Sequence, residues 1–389
     1  MLSVTTLHSD AVDTEDVVSA LTEVRDIPAD APLAGVLFAS LGYDLDAIVA
    51  GVHARYPGIA LVGCTANGTL SADEYHHDGV LLTLLHGPGL SFEVGVGRGI
   101  RADLGEACRA AVAGASRRTD RPSLVLTFAD SLSGDMAEVV DRVAAAYGRD
   151  VPPIFGGSAA DDWTFGGTSQ IAGDAVMNDA VVALACYGPL VVSSGIAAGW
   201  RPIGPTMTVT DSAGALIRGI EGLTPREVLE RHFPGFGVHD LLDHPLAVFP
   251  DPAVEDEFYL RALLAYDPES GFVTACGAVP KGAQVRLTIA TSSDVLDAAV
   301  GALDAAVEGL DGPPEGVLVI SCAARQTVLG IKTDGERAGI RSRLVEGGLQ
   351  GVPIAGFYGY GEFGSVGRGQ PRFHNETCVV LALRSADVG

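Results

Sequence analysis

Apolar residues recur at helical spacing in several places along the chain. Leu104, Ala107, Cys108, Ala111, Val112 and Ala115 share one face of a helix. So do Met136, Val139, Val140, Val143, Ala144 and Tyr147, and later Val295, Leu296, Ala299, Val300, Leu303 and Val307. Ser292 or Ser293 is placed to cap the last of these. Short apolar runs bounded by Gly and Pro lie between the helices and read as strands: residues 91–97, 124–128, 153–157 and 180–186. The same order returns downstream, with strands at 285–290, 317–321, 353–357 and 378–383 and a less regular helix at 336–349. The pattern predicts a repeated strand–helix–strand–helix–strand–loop–strand unit.

The two copies register at single residues. Pro153-Ile154-x-Gly156 matches Pro353-Ile354-x-Gly356 at an offset of 200, which sets Asp162 opposite Glu362. Asn178-Asp179 matches Asn375-Glu376 ahead of the closing strands. A weaker third copy lies upstream: a strand at 36–39, a helix marked by Leu45, Ile48, Val49 and Val52, and a strand at 59–64 running into Thr65-Ala66-Asn67-Gly68. Adjacent apolar strands without intervening helices argue for mixed sheets. The expected fold class is α/β, with two related mixed-sheet α/β domains built from an internally duplicated unit. Residues 1–30 read as an acidic, partly helical lead-in, 31–225 as the first domain and 226–389 as the second. The boundary falls among Thr224-Pro225, Pro234-Gly235 and Gly237.

Composition narrows the function. At 389 residues the chain has room for two or three domains, and 47% hydrophobic with 19% charged residues excludes a disordered chain. The net charge of −24 argues against nucleic acid and against anionic membrane surfaces as partners. Residues 180–200 are 21 uncharged positions, but Gly188-Pro189 breaks them, so two strands fit better than a membrane span. The N-terminus has neither a basic nor an apolar signal region, which points to the cytoplasm. The six cysteines form no CxxC pair and read as buried reduced thiols.

Several clusters could carry chemistry. Gly359-Tyr360-Gly361-Glu362-Phe363-Gly364 spells GxGxxG, but Gly- and Pro-rich sequence follows it where a phosphate site needs a helix. Glu74, His76, His77 and Asp78 are metal-ligand types, yet adjacent histidines point apart, and a solvated loop is favoured. Ser321-Cys322-Ala323-Ala324-Arg325 ends an apolar strand, where open α/β sheets place ligands. Cys322 is either a packed thiol or a nucleophile with His374 as base. Arg325 either meets a ligand carboxylate or pairs inside the protein, with Glu362 the candidate partner. Tyr358, Tyr360 and Glu362 alternate onto one face and could line a small pocket. Asp161 and Asp162, beside Trp163 and Phe165, could do acid/base work or bind an amine.

These motifs resemble the FIST family of prokaryotic sensory proteins. The first FIST domain is matched by Val62-Gly63-Cys64-Thr65-Ala66-Asn67-Gly68 and Phe155-Gly156-Gly157-Ser158-Ala159-Ala160-Asp161-Asp162. The second is matched by Ser321–Arg325, by Gly356-Phe357-Tyr358-Gly359-Tyr360-Gly361-Glu362 and by Phe373-His374-Asn375-Glu376-Thr377. The resemblance implies a non-catalytic, cytoplasmic protein in signal transduction that binds a small molecule, an amino acid or similar carboxylate, and signals to a separate protein. It implies no resident cofactor, with haem as the alternative and His239, His244 and His374 as candidate ligands. The expected binding residues are Arg325, Tyr358, Tyr360, Glu362, Cys64, Thr65, Asn67, Asp161, Asp162, Cys322, His374 and Asn375. In that expectation Arg325 holds a carboxylate, and Glu362 or Asp162 an amine.

Overall fold

Three stretches of chain build sheets of one strand order, and a fourth builds a sheet of its own. The computed structural model describes residues 1–24, 27, 31–237, 240–251, 254, 257–365 and 369–386. The first stretch runs β1 (Ser3–Ser9), α1 (Thr14–Leu21), β2 (Leu33–Ala39), α2 (Leu45–Arg55), β3 (Ala60–Thr65), a hairpin of β4 (Thr69–Ser71) and β5 (Tyr75–His76), and β6 (Val80–His86). The second runs β7 (Ser91–Arg98), α3 (Ile100–Ala115), β8 (Leu124–Ala129), α4 (Met136–Ala146), β9 (Ile154–Ser158), a hairpin of β10 (Gln170–Ala172) and β11 (Ala175–Met177), and β12 (Ala180–Tyr187).

The third stretch opens with β13 (Leu190–Ala197) and is interrupted at once. β14 (Arg201–Ala213), β15 (Leu216–Ile220), α5 (Pro225–His232), β16 (Leu246–Phe249), β17 (Tyr259–Arg261), β18 (Leu263–Tyr266), β19 (Val273–Ala275) and β20 (Gln284–Ile289) supply the separate seven-stranded sheet and its helix. The interrupted pattern then resumes with α6 (Ser292–Glu308), β21 (Gly316–Cys322), α7 (Ala323–Leu329), α8 (Asp334–Glu346) and β22 (Ile354–Gly359). A hairpin of β23 (Glu362–Gly364) and β24 (Arg372–His374) and the closing β25 (Cys378–Ser385) complete it.

The three sheets are mixed and exchange their hairpins in a ring. Their orders are β1-β6-β2-β3-β10-β11, β7-β12-β8-β9-β23-β24 and β13-β25-β21-β22-β4-β5. Each has one parallel pair, β2 with β3, β8 with β9 and β21 with β22. The first stretch lends its hairpin to the third sheet, the second to the first, and the third to the second. The inner faces of all three sheets share one apolar core, centred on Phe38, Phe128 and Phe357. These rings meet pairwise at 4.2–5.8 Å between centroids. The amphipathic faces of α1 and α2, α3 and α4, and α6 and α8 cover the outer faces in three further clusters.

The parallel pairs explain three motif glycines. A Cβ added at Gly63, Gly156 or Gly356 would strike the backbone carbonyl of Leu37, Thr127 or Val319 on the neighbouring strand. Only glycine permits that approach.

The structure revises several sequence expectations. Residues 285–290, read as the opening strand of the second copy, form β20 in the seven-stranded sheet, and β13 opens the third sheet by pairing with β25. Ser3–Ser9 is no lead-in, since it pairs with β6 along its whole length. Thr291 caps α6 in a reciprocal capping box with Asp294, in place of Ser292 or Ser293. The offset that set Asp162 against Glu362 fails because the loop before β10 is longer. Gln170 opposite Cys64 occupies the ladder position that Glu362 holds opposite Gly157. Residues 180–200 hold two strands as expected, but in different sheets. No helix among the described residues is long and apolar enough to cross a membrane.

Gly63→Ala is expected to lose more than about 3 kcal/mol or to fail to fold, because a backbone carbonyl cannot yield as a side chain does. Urea unfolding checks this, and a native-like midpoint would refute the crowding.

Candidate functional site

The site lies at the ends of the three first parallel strands, which the shared topology makes equivalent. The N–H of Ser40 donates to Gly79 O (2.9 Å), that of Asp130 to Ala180 O (3.1 Å) and that of Cys322 to Thr377 O (3.0 Å). The residues before those acceptors are Asp78, Asp179 and Glu376, and the last two stand in left-handed backbone at φ 50 and 60.

Two of these ends are closed by polar partners. The Ser40 hydroxyl donates to His77 O and accepts from Gly79 N. Asp130 accepts from the N–H groups of Leu132 and Asp179 and from the hydroxyls of Ser133 and Thr168 at 2.8–3.0 Å. The third end is open. Thr377 donates its N–H and hydroxyl to one oxygen of Glu362, at 3.2 and 2.6 Å. The other Glu362 oxygen, both Glu376 oxygens and Asn375 Oδ1 are buried without a hydrogen-bond partner. All three residues are fully buried.

Burial governs their protonation. It pushes the Glu362 carboxyl up to about 8, against the pull of Thr377, Cys322 and Arg325. Burial and then the neighbouring Glu362 drive Glu376 well above the carboxylate range. Burial followed by the two acids raises the Cys322 thiol well above its usual value, so it is a poor nucleophile at neutral pH.

A cavity of about 100 Å³ fronts this cluster, lined by Cys322 and Asn375. Trp163, Phe165 and Tyr360 form an aromatic wall, and Leu264 and Cys276 reach in from the seven-stranded sheet. The rings of Phe165 and Tyr360 stack at 5.2 Å, and Trp163 lies 5.3 Å from Tyr360. The loop carrying Trp163 and Phe165 is strained, with Asp162, Trp163 and Phe165 all at positive φ. Asp161 holds it by accepting from Tyr360 Oη (2.7 Å), Thr164 Oγ1 (2.9 Å) and the N–H groups of Phe165, Gly166 and Gly167. Burial works against its charge, but the donors of Gly167, Tyr360, Thr164 and Phe165 outweigh it and hold the carboxyl below its ordinary value. Asn67 Oδ1 accepts from Asp162 N, and Tyr360 Oη from Trp163 N, both at 2.6 Å.

The structure gathers only part of the expected set. Tyr360, Cys322 and Asn375 line the cavity, with Glu362 beside Cys322. Asp161 and Asn67 fix the loop, and Thr65 Oγ1 accepts from Ser169 N beneath it. Arg325 does not line the cavity, and its partner is not Glu362. It is fully buried and donates Nε to Glu336 (3.2 Å), with its other nitrogens donating to the carbonyls of Ala198, Glu376 and Val295. Asp162 is exposed and lies 3.7 Å from His77, on a groove on the far side of Trp163. Cys64 is packed in the central core and Tyr358 against α6 and α8, both away from the cavity. The alternation of Tyr358, Tyr360 and Glu362 breaks at Gly361, where the chain leaves one sheet for another. His374 lines a different cleft and donates Nε2 to Gly364 O, so it does not serve Cys322 as a base. His244 stacks on Phe233 and bonds Thr288 O through Nδ1, and His239 lies outside the described residues. Neither described histidine lines the cavity, which gives the haem alternative no footing there. Among the described residues no group of three or more His, Cys, Asp or Glu is arranged to hold a metal ion.

Sequence reasoning missed Glu376, Cys276, Ser131 and Glu336. Glu376 carried a signal, as the acid after Asn375 in a turn matching Asn178-Asp179. Cys276 carried none, because nothing local shows that the seven-stranded sheet folds over β21.

The FIST N domain model matches residues 34–223 and the FIST C domain model residues 226–365. The chain belongs to the FIST family. FIST domains are associated with sensory signal transduction and are generally non-catalytic. An uncharacterized protein of Mycobacterium tuberculosis is 26% identical over 363 residues, covering 88% of this chain and 89% of its own length. Among solved structures, cyanuric acid hydrolase from A. caulinodans aligns over 100% of both chains at 11% identity and a TM-score of 0.38. Phosphoribosylformylglycinamidine synthase II from Thermotoga maritima aligns over 98% of this chain and 72% of its own at 12% identity and a TM-score of 0.21. The two FIST matches meet inside the seven-stranded sheet, which takes β14 and β15 from one side and its other strands from the other. The cavity draws Trp163 and Phe165 from the FIST N part and Cys322 and Leu264 from the FIST C part.

Two stability predictions follow from these burials. Glu336→Ala leaves Arg325 a buried, unpaired cation and is expected to cost about 3–5 kcal/mol in denaturant unfolding. Glu362 holds its proton in the folded chain up to about pH 8 but loses it at an ordinary carboxylate value when unfolded. The unfolded state therefore binds fewer protons across that interval, and stability falls as pH rises. Burial lowers His374 to about 4, which gives the opposite slope only below about pH 6.5. Glu362→Gln is expected to gain on the native chain between pH 6.5 and 8.5, by about 2 kcal/mol over that interval. Parallel melting curves at pH 5 and 8.5 measure it; an unchanged difference would show that the carboxyl is not held neutral.

Proposed function

We propose that this FIST chain is a small-ligand sensor whose ligand occupies the cavity between β21 and the seven-stranded sheet, and that it signals to a separate partner without catalysing a reaction. The observation that carries the reading is the asymmetry of the three strand ends. At two ends the closing residues, Ser40 and Asp130, are satisfied internally. At the third the two acids are not, and the cavity fronts that end, with Ser131 and Leu132 beside Asp130 also lining it. Buried acceptors without donors are costly, and a bound molecule that donates N–H or O–H groups removes the cost. A thiol held protonated, with His374 elsewhere, supports binding over nucleophilic catalysis. An amino acid fits the amino end of such a site; its carboxylate would not be held by Arg325.

The route for a signal is the strained loop. Trp163 is a wall of the cavity and also of the groove formed with Tyr75, Gln326 and Ile331. A ligand that reseats Trp163 changes that groove as well, where a partner protein can read it.

A thermal-shift screen of amino acids and small amines tests the reading. A ligand at 100 times its Kd adds about 2.7 kcal/mol of stability. The expected ligand raises the melting temperature of the native chain but not of Leu264→Trp, which fills the cavity mouth. It also moves the emission of Trp163, because Trp200 is buried and bonded to Asp243 O. A ligand whose shift survives Leu264→Trp would place the sensory site elsewhere.

A further inference from the structure

The cavity's polar atoms are selective in kind. Asn375 and Ser131 line it, and their Oδ1 and Oγ atoms are buried without hydrogen-bond partners. Behind them stand three more orphaned oxygens, all on carboxyl groups. No Lys, Arg or His lies among its described lining residues. The charged and titratable groups around the acid pair do not neutralise it either. From α7, Arg325 is spent on Glu336 of α8 and on carbonyls. Arg261, from β17, donates to the carbonyls of Leu260 and Phe373. Asp243 adds a further negative charge near Glu376, and Cys276 and Cys322 contribute protonated thiols.

We infer that the cavity takes a small amine carrying an apolar or aromatic group and no carboxylate, bound as its ammonium ion, an inference that rests on the sensory reading of this cavity. The ammonium supplies donors for Asn375 Oδ1 and Ser131 Oγ and places a positive charge beside Glu362 and Glu376 that favours their ionised forms. The aromatic wall favours a cation over its faces and an apolar tail against its edges. A carboxylate on the ligand would be buried in a cavity whose described lining offers it no cation, and a buried charge without a counter-charge is costly. The space is a fit for about seven to ten water-sized groups, since one water needs roughly 10–15 Å³ by this measure. Binding of the cation stabilises the ionised carboxylate, so a proton leaves the Glu362–Glu376 pair as the amine enters.

Calorimetric titrations of the full chain with phenethylamine, phenylalaninol, phenylalanine and hydrocinnamate separate charge from size. Phenethylamine and phenylalaninol are expected to bind at least about tenfold more tightly than phenylalanine, and hydrocinnamate not to bind. At pH 7 the amine titration is expected to release protons, seen as a heat that differs between phosphate and Tris buffers. Proton release and the preference for amines should both be lost in Glu362→Gln/Glu376→Gln, a variant whose folding its melting curve verifies. Phenylalanine or hydrocinnamate binding as tightly as the amines, with Leu264→Trp blocking it, would overturn the amine while leaving the cavity a ligand site. Amine binding that survives in Leu264→Trp would overturn both. Absence of binding by all four probes would overturn the amine inference alone, and the broader thermal-shift screen would still decide whether the cavity takes a ligand.

Discussion

An unpaired sheet edge is a row of N–H and C=O groups that must find partners, and this fold satisfies three of them with one another's hairpins. The hairpin of each stretch completes the sheet of another, in a closed ring of exchanges. No sheet reaches its six strands without a neighbour, and no inner face is covered until all three meet at Phe38, Phe128 and Phe357. The exchange also makes the site. The chain leaves β22 in the third sheet, turns through Tyr360 and Gly361, and enters β23 in the second sheet. Glu362 is the first residue after that crossing. It is carried into the seam beside Cys322 by backbone pairing with Gly157, whatever its own preference for water.

The equivalence of the three strand ends shows what is unusual about the third. Where Asp130 stands, four donors converge on one carboxylate, and the charge is solvated by the protein. Where Cys322 stands, the neighbouring acids share one donor residue, Thr377, between them. A chain selected for stability alone would fill that position as it filled the other two. Keeping two carboxyls buried and largely unpaired costs stability, and such costs gather at working sites. The buried Arg325–Glu336 pair sits on the other side of the balance. It ties α7 to α8 and, through the carbonyls of Ala198, Val295 and Glu376, pins the turn on which Glu376 is held.

Much of the fold was legible because it rests on local periodicity. The faces of α3 and α4 are buried nearly as their apolar spacing predicts, and the Pro-led strands lie where they were read. The motif glycines were visible, although their cause, a neighbouring carbonyl, was not. What escaped was non-local. Period-two and period-3.6 patterns say which face is buried but not which strand lies alongside, so β20 was read as the opening strand that β13 in fact is. Arg325 was recognised as needing a carboxylate, with Glu362 the internal candidate; the packing of α7 on α8, which the sequence does not show, gives it Glu336 instead. Asp162 was aligned with Glu362 by a string offset that the longer loop ahead of β10 invalidates. Cys322 was found because polar residues at strand ends are already suspect, Tyr360 through its alternation with Tyr358 and Glu362, and Asn375 through the family motif. Cys276 and Leu264, on a distant sheet, had nothing to mark them.

The loop from Asp161 to Gly167 joins these themes. Three non-glycine residues in left-handed backbone cost roughly 1–3 kcal/mol each, and Asp161 offsets that with donors from the loop and from Tyr360. Asn67 from the first stretch and Tyr360 from the third each hold one loop N–H. The loop is thus clamped by all three parts of the exchanged assembly while its Trp163 divides the cavity from the outer groove. A loop held by a few specific bonds against its own strain has discrete alternatives rather than a continuum, which is what a binding event needs if it is to be read on the far side. Tyr360 is the natural link: its ring lines the cavity while its hydroxyl donates to Asp161 and accepts from Trp163. Displacing that ring by even a fraction of a bond length strains two of the bonds that hold the loop in place.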